Sequence, residues 1–308
     1  MSGASNGVLE TEVRPPETVP AVVTPARALY WCVRRELWEN RSIYIAPLVV
    51  AAVTLFGFVI STIGLPHRRR AALMLDPAHQ RAAIERPYDI VAMMILATAF
   101  VVAIFYCLDA LYSERRDRSI LFWKSLPVSD RITVLSKAAI PLVVLPALVL
   151  AIVAITQFLM LIWSSMVLLP SGLAGTTNFN IVEHSFILLY GLIAIALWHA
   201  PIYGWLLLVS AWARRATILW AVLPLFAIGV LEKIAFNSSY FSSLLKYRLI
   251  GVFTQAFVFH EHGSVATEPL SSLTPINFIL TPGLWIGFVF AAIFLAVAAQ
   301  LRRNREPI

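Results

Sequence analysis

Charge is what this 308-residue chain has least of: Asp, Glu, Lys and Arg together make up 13% of it, against 59% hydrophobic residues. Soluble domains carry about a quarter charged residues. A fold around one water-surrounded core is therefore excluded, because its surface would be apolar as well. The few charges are clustered, which leaves long stretches with none. Cysteine is nearly absent, and neither Cys32 nor Cys107 is placed for an exported disulfide. No G-x-x-x-x-G-K-[ST] occurs and no glycine precedes a lysine, so the chain carries no phosphate-binding loop of that kind. Residues 1–24 lack the hydrophobic region of a signal peptide and read as a disordered, polar tail. What is present, at a mean hydropathy of +0.79, is an all-α integral membrane protein.

A hydrocarbon layer about 30 Å thick takes about 20 helical residues to cross. Twenty-five uncharged residues separate Arg41 from His67 and 19 separate Asp89 from Asp109, giving spans at about 43–65 and 90–108. A run of 45 residues without charge, 138–182, is punctuated by Pro170, Ser171 and Gly172, which sets a third span at 138–169. The fourth covers 184–213, the fifth 216–231 and the sixth 282–301. Residues 25–308 thus form one domain of six transmembrane helices. Placing the N-terminus in the cytosol puts 16 Lys and Arg on that side and eight on the other, so both termini are read as cytosolic. Arg68, Arg69, Arg70, Arg81 and Arg86 run against this bias and are read as a short outer helix or a headgroup contact. The net charge of +7 points to anionic lipid rather than nucleic acid.

Two segments are apolar in part without spanning. Residues 25–41 place Ala26, Leu29, Tyr30, Val33 and Leu37 on one helical face, flanked by Arg27, Arg34, Arg41, Trp31 and Trp38, as in a helix lying in the membrane surface. The 49 residues 233–281 contain an apolar run, 249–259, of only 11 residues. At about 1.5 Å per residue it is too short to cross, so a re-entrant or interfacial element is expected before the last span.

The linker between the second and third spans reads Tyr112-Ser113-Glu114-Arg115-Arg116-Asp117-Arg118-Ser119-Ile120-Leu121-Phe122-Trp123-Lys124-Ser125-Leu126-Pro127-Val128-Ser129. It is a charged cluster followed by an apolar turn and a proline, able to pair ions with another protein and offer it an apolar knob. Glu114, Arg115, Ser119, Ile120, Leu121, Leu126, Pro127, Val128 and Ser129, in that order, resemble the first cytosolic loop of ABC type-2 exporter permeases. Arg118 stands where that family commonly has glycine. The surface helix, six spans and long last external loop resemble the family's layout over nearly the whole chain. The resemblance implies a bacterial inner-membrane exporter in which this chain and a second copy or paralogue line the path. It also implies two separate ATPase subunits that bind the ATP and Mg²⁺, this chain holding no cofactor and catalysing no reaction. Glu114, Arg115, Asp117, Ser119, Ile120, Leu121, Leu126 and Pro127 would then belong to the coupling helix that docks on an ATPase.

Polar groups inside the spans are few. Gln157 and His199 are candidates for lining a path, or for hydrogen bonds between helices. Gly283 and Gly287 form a G-x-x-x-G close-packing pattern. His260-Glu261-His262 lacks the i, i+4 spacing that presents two imidazoles to one metal, so no metal is expected there. An intramembrane enzyme would need converging ionisable groups, and an ion-coupled secondary transporter intramembrane acids with repeat-related broken helices; the spans show neither. A scaffold or sensor anchor is the remaining alternative.

Overall fold

The computed structural model describes residues 24–119, 129–176, 179–257 and 273–304, and every regular element among them is helical. All of the polar tail except Thr24 lies outside the described residues. Pro25, in a first turn where its missing N–H is no loss, opens α1 (Pro25–Glu39), and α2 (Ser42–Ser61) follows almost at once. The expected membrane face of α1 is split. Val33 and Leu37 pack on the bundle, whereas Tyr30, Trp31 and Trp38 are exposed. The Arg34 guanidinium lies 5.2 Å and 4.8 Å from the rings of the two tryptophans. The most deeply buried side chain of the helix is a charged one, Glu36.

The arginine-rich segment is helical. It forms α3 (Leu65–Ala72) and the first turns of α4 (Pro77–Asp109), which starts well before the span expected at 90. Asp76 caps α4 through the His79 backbone N–H, and the His79 ring holds its carboxyl below the usual range. At 33 residues α4 is about 50 Å long, longer than a bilayer core. Its extra turns are held by ion pairs: Arg81 contacts Glu85 at 2.7 Å and Glu183 at 3.2 Å.

After the short α5 (Tyr112–Arg116), the third membrane helix also begins early. Ser129 caps α6 (Asp130–Ala139), which runs through a π-helical turn at Ile140–Val144 into α7 (Leu145–Leu168). The turn falls where Pro141 and Pro146 cannot donate backbone hydrogen bonds, a common cause of local helix distortion. Gly172, at φ 70°, terminates this stretch as the Pro170-Ser171-Gly172 sequence predicts. The remaining helices are α8 (Ile181–Trp212), α9 (Thr217–Phe236), α10 (Tyr240–Ala256), α11 (Pro275–Leu280) and α12 (Pro282–Asn304).

Among the described residues, six helices, namely α2, α4, the α6–α7 run, α8, α9 and α12, are long and apolar enough to cross a membrane, so the protein is of the multi-pass, all-α membrane class. The fifth is longer than its uncharged run because Glu232 lies inside it. The Glu232 carboxylate accepts hydrogen bonds from the Ser238 hydroxyl and the Tyr240 and Phe241 backbone N–H groups, which caps α10. The centre of the bundle is α8, packed on α4, α7, α10 and α12; Gly204 lets it approach α12, a carbon added there lying 3.3 Å from the Ala291 carbonyl. The element expected before the last span is α10 with α11. It lies along α8, where the Tyr190 hydroxyl donates to the Ala256 carbonyl at 3.1 Å.

Candidate functional site

At the end of the bundle where α4 gives way to α5, charges from four separate stretches of chain meet out of solvent. Lys137 Nζ on α6, 2% exposed, lies 2.8 Å from Glu36 Oε1 on α1 and 3.1 Å from Glu114 Oε1 on α5. Arg35 Nη2 reaches the same two carboxylates, each at 3.1 Å. The other Glu114 oxygen is 3.1 Å from Arg302 Nη2 on α12, and Arg302 also pairs with Asp130. The Tyr106 hydroxyl donates to Glu36 Oε2 at 2.9 Å. Burying a charge costs several kcal/mol unless partners surround it. Here each buried carboxylate faces at least two cations, and the helices that carry them are locked at one register. The network also brings the last turn of α12 to the end that holds α1, so the two ends of the helical region lie on one side of the bundle.

Arg115 closes a second lock. Its Nη2 donates to the Ser210 carbonyl at 2.9 Å and to that of Ala213, taking up carbonyls at the end of α8. In return, Ser210 Oγ accepts from the Leu111 and Tyr112 backbone N–H groups, both at 2.9 Å, at the start of α5. Glu114 and Arg115 therefore face inward, a correction to their reading as charges displayed to a partner. The charges displayed are those of Arg116 and Asp117, paired at 3.0 Å and exposed, and of Arg118. The Ser119 hydroxyl donates to the Glu114 carbonyl at 3.4 Å. Ile120, Leu121, Leu126 and Pro127 lie outside the described residues.

Arg118 takes φ 58°, the left-handed region that glycine occupies without cost. The backbone thus keeps the conformation a glycine would supply. Replacing Arg118 with Gly relieves roughly 1 kcal/mol of steric cost, offset in part by added chain entropy. A small rise in the thermal midpoint, measured by fluorescence-detected size exclusion, is the expected outcome; a fall would contradict the assignment of strain.

The two intramembrane polar candidates have separate roles. Gln157 is buried and donates to the Tyr88 carbonyl at 3.4 Å, joining α7 to α4. His199 Nδ1 lies 2.8 Å from the Ile195 carbonyl and Nε2 lies 3.2 Å from the Leu249 carbonyl. A neutral imidazole has one N–H, so only one of these two carbonyls receives a hydrogen bond from the ring. Beside it, the fully buried Trp198 donates to the Arg248 carbonyl at 3.0 Å. The G-x-x-x-G pattern makes room for the same helix. A carbon added at Gly283 would lie 2.8 Å from the Tyr247 hydroxyl, and one at Gly287 would overlap the Arg248 guanidinium. These glycines receive α10 side chains.

Among the described residues, no group of three or more His, Cys, Asp or Glu side chains is placed to hold a metal ion; His260, Glu261 and His262 lie outside them. Both cysteines are free thiols. Compared with known proteins, the chain matches no family model, no curated protein and no solved structure.

Proposed function

We propose that this chain is the transmembrane subunit of an ABC exporter of a bacterial inner membrane, paired with a second copy or a paralogue and driven by two separate ATPase subunits. The observation that supports this most is the attachment of the linker after α4. Glu114 ties it to α1, α6 and α12, and Arg115 ties it to the end of α8. A force applied to residues 116–128 from the cytosol would then move those helices together, as a rigid-body switch between two arrangements requires. The apolar stretch Ile120–Trp123 suits a docking knob, with Arg116, Asp117 and Arg118 as the charges beside it.

Co-purification from native membranes tests this. The unaltered chain brings down a nucleotide-binding ATPase. Leu121→Pro, and separately Asp117→Lys with Arg116→Glu, lose it while the chain still inserts and elutes as one species. Glu114 is unsuitable for this purpose because its replacement also breaks the internal network. An ATPase recovered equally by Leu121→Pro refutes the coupling assignment, and none recovered with the unaltered chain refutes the exporter reading.

A further inference from the structure

A cavity of about 240 Å³ lies between α4, the π turn, α8 and α10, lined among others by Phe100, Pro141, Leu145, His199, Tyr203 and Phe253. Its walls are almost wholly apolar, which favours an apolar occupant. Two polar groups interrupt the walls, one turn apart on α8. His199 has a ring nitrogen facing a carbonyl to which it does not donate, as described above. Tyr203 is 4% exposed, yet its hydroxyl makes no hydrogen bond among the described residues. The residue is buried but its oxygen is not sealed within the packing, so the hydroxyl is left open to an occupant of the cavity it lines. Three further lining residues, Met93, Leu249 and Phe253, are exposed. They open the cavity sideways through the apolar outer surface of the bundle rather than at its polar ends. The π turn that forms one wall is an element often found at functional sites.

We infer that this cavity binds a small, mostly hydrophobic molecule carrying one oxygen that hydrogen-bonds to the Tyr203 hydroxyl, and that the molecule enters from the bilayer. A cavity of about 150 Å³ holds benzene, so by proportion this one accommodates an apolar body of about ten heavy atoms, the size of a medium-chain alcohol or a naphthol. That such a molecule is cargo rests on the exporter reading; that it binds does not, and binding alone is what the following experiment reads.

The full chain in phosphatidylcholine nanodiscs is irradiated with an octanol bearing a diazirine in its chain, with the matching octane, and with a phosphatidylcholine bearing the diazirine in mid-chain. Adducts are mapped by mass spectrometry. The alcohol labels the peptides containing Met93 and Phe253 above the level of the lipid-facing peptide around Phe226. Tyr203→Phe, which keeps the ring and the packing, lowers that labelling about fivefold, the effect of one hydrogen bond. Leu192→Trp, which fills the cavity, removes it; labelling at Phe226 stays constant in both variants. Equal labelling by octane and octanol, or labelling indifferent to Tyr203→Phe, overturns the inference. Labelling of the Met93 and Phe253 peptides by the phospholipid, unchanged in Tyr203→Phe, assigns the cavity to an acyl chain and overturns it as well. Neither result touches the ATPase co-purification, so the two readings fail separately.

Discussion

Lys137→Met is expected to be among the most damaging single substitutions in the protein, costing about 3 kcal/mol or more. The lysine has no solvent to fall back on and neutralises two carboxylates, Glu36 at 2.8 Å and Glu114 at 3.1 Å. Removing it leaves those acids with Arg35 and Arg302 as counter-charges, in a site whose low polarity makes unbalanced charge expensive. Breaking one partner of a buried pair typically costs 3–5 kcal/mol, of which most is the penalty on the charge left behind. Removing both partners should therefore cost less than the sum. Glu36→Gln with Lys137→Met is expected to recover part of the loss, giving a coupling energy of about 1–3 kcal/mol in a double-mutant cycle. Thermal unfolding followed by fluorescence-detected size exclusion measures all four corners of the cycle. Strict additivity would show that the two side chains do not interact as drawn. The same substitution is expected to loosen α1, detectable as faster amide hydrogen exchange over 25–39.

The second large effect is expected at Trp198, whose indole is the centre of a separate cluster with Ala194, Val252, Ala256, Phe278 and Leu284. That cluster joins α8 to α10, α11 and α12. Trp198→Ala removes a fully buried ring and leaves the Arg248 carbonyl without its 3.0 Å side-chain donor. It also withdraws the face on which the Arg248 guanidinium rests, 4.9 Å from the ring centroid. Large-to-small core substitutions of this kind cost about 3–5 kcal/mol. Because α10 packs chiefly on α8, α9 and α11, the loss should be confined to that part of the bundle. Faster amide exchange through 240–256 is expected, with little change in α4 or α7. Trp198→Phe should retain most of the packing and lose the hydrogen bond, for a cost of about 1 kcal/mol. If exchange rises evenly over the whole bundle in Trp198→Ala, α10 is not the separable element described.

The membrane spans were legible in the sequence because the requirement that makes them is local. A segment in hydrocarbon must satisfy its own backbone hydrogen bonds within one helix, so about 20 consecutive residues decide the matter. The helices run past the expected spans where charge was taken as a boundary. Lys137 was placed before the third span and Glu232 after the fifth, yet both are inside helices. One is neutralised across the bundle and the other caps the next helix. The linker 112–129 stood out in the sequence for its charge, and at Arg118 its backbone adopts a glycine-like turn. That Glu114 and Arg115 face inward was not legible. Their partners stand far off in the chain, Arg302 at 188 residues from Glu114 and Ser210 at 95 from Arg115. Glu36 gave even less signal, being one of two acids on a helix whose tryptophans and arginines suggested only a membrane surface. The spacing of Gly283 and Gly287 was a true packing signal, but nothing in it said which helix would fill the gap.

By itself, then, the amino-acid order determined that the chain is helical and membrane-embedded, where its apolar helices lie and which linker concentrates charge. Composition over a turn or a span controls each of these through short-range hydrogen bonding and transfer from water. Only the tertiary structure decided the fate of the individual polar groups: which acids meet which bases at the end of the bundle, and that His199 and Tyr203 share a cavity lined in part by the π turn. The physical reason is that a buried polar group is tolerated only through what surrounds it, and those surroundings are assembled from helices that are distant in sequence and adjacent only after packing.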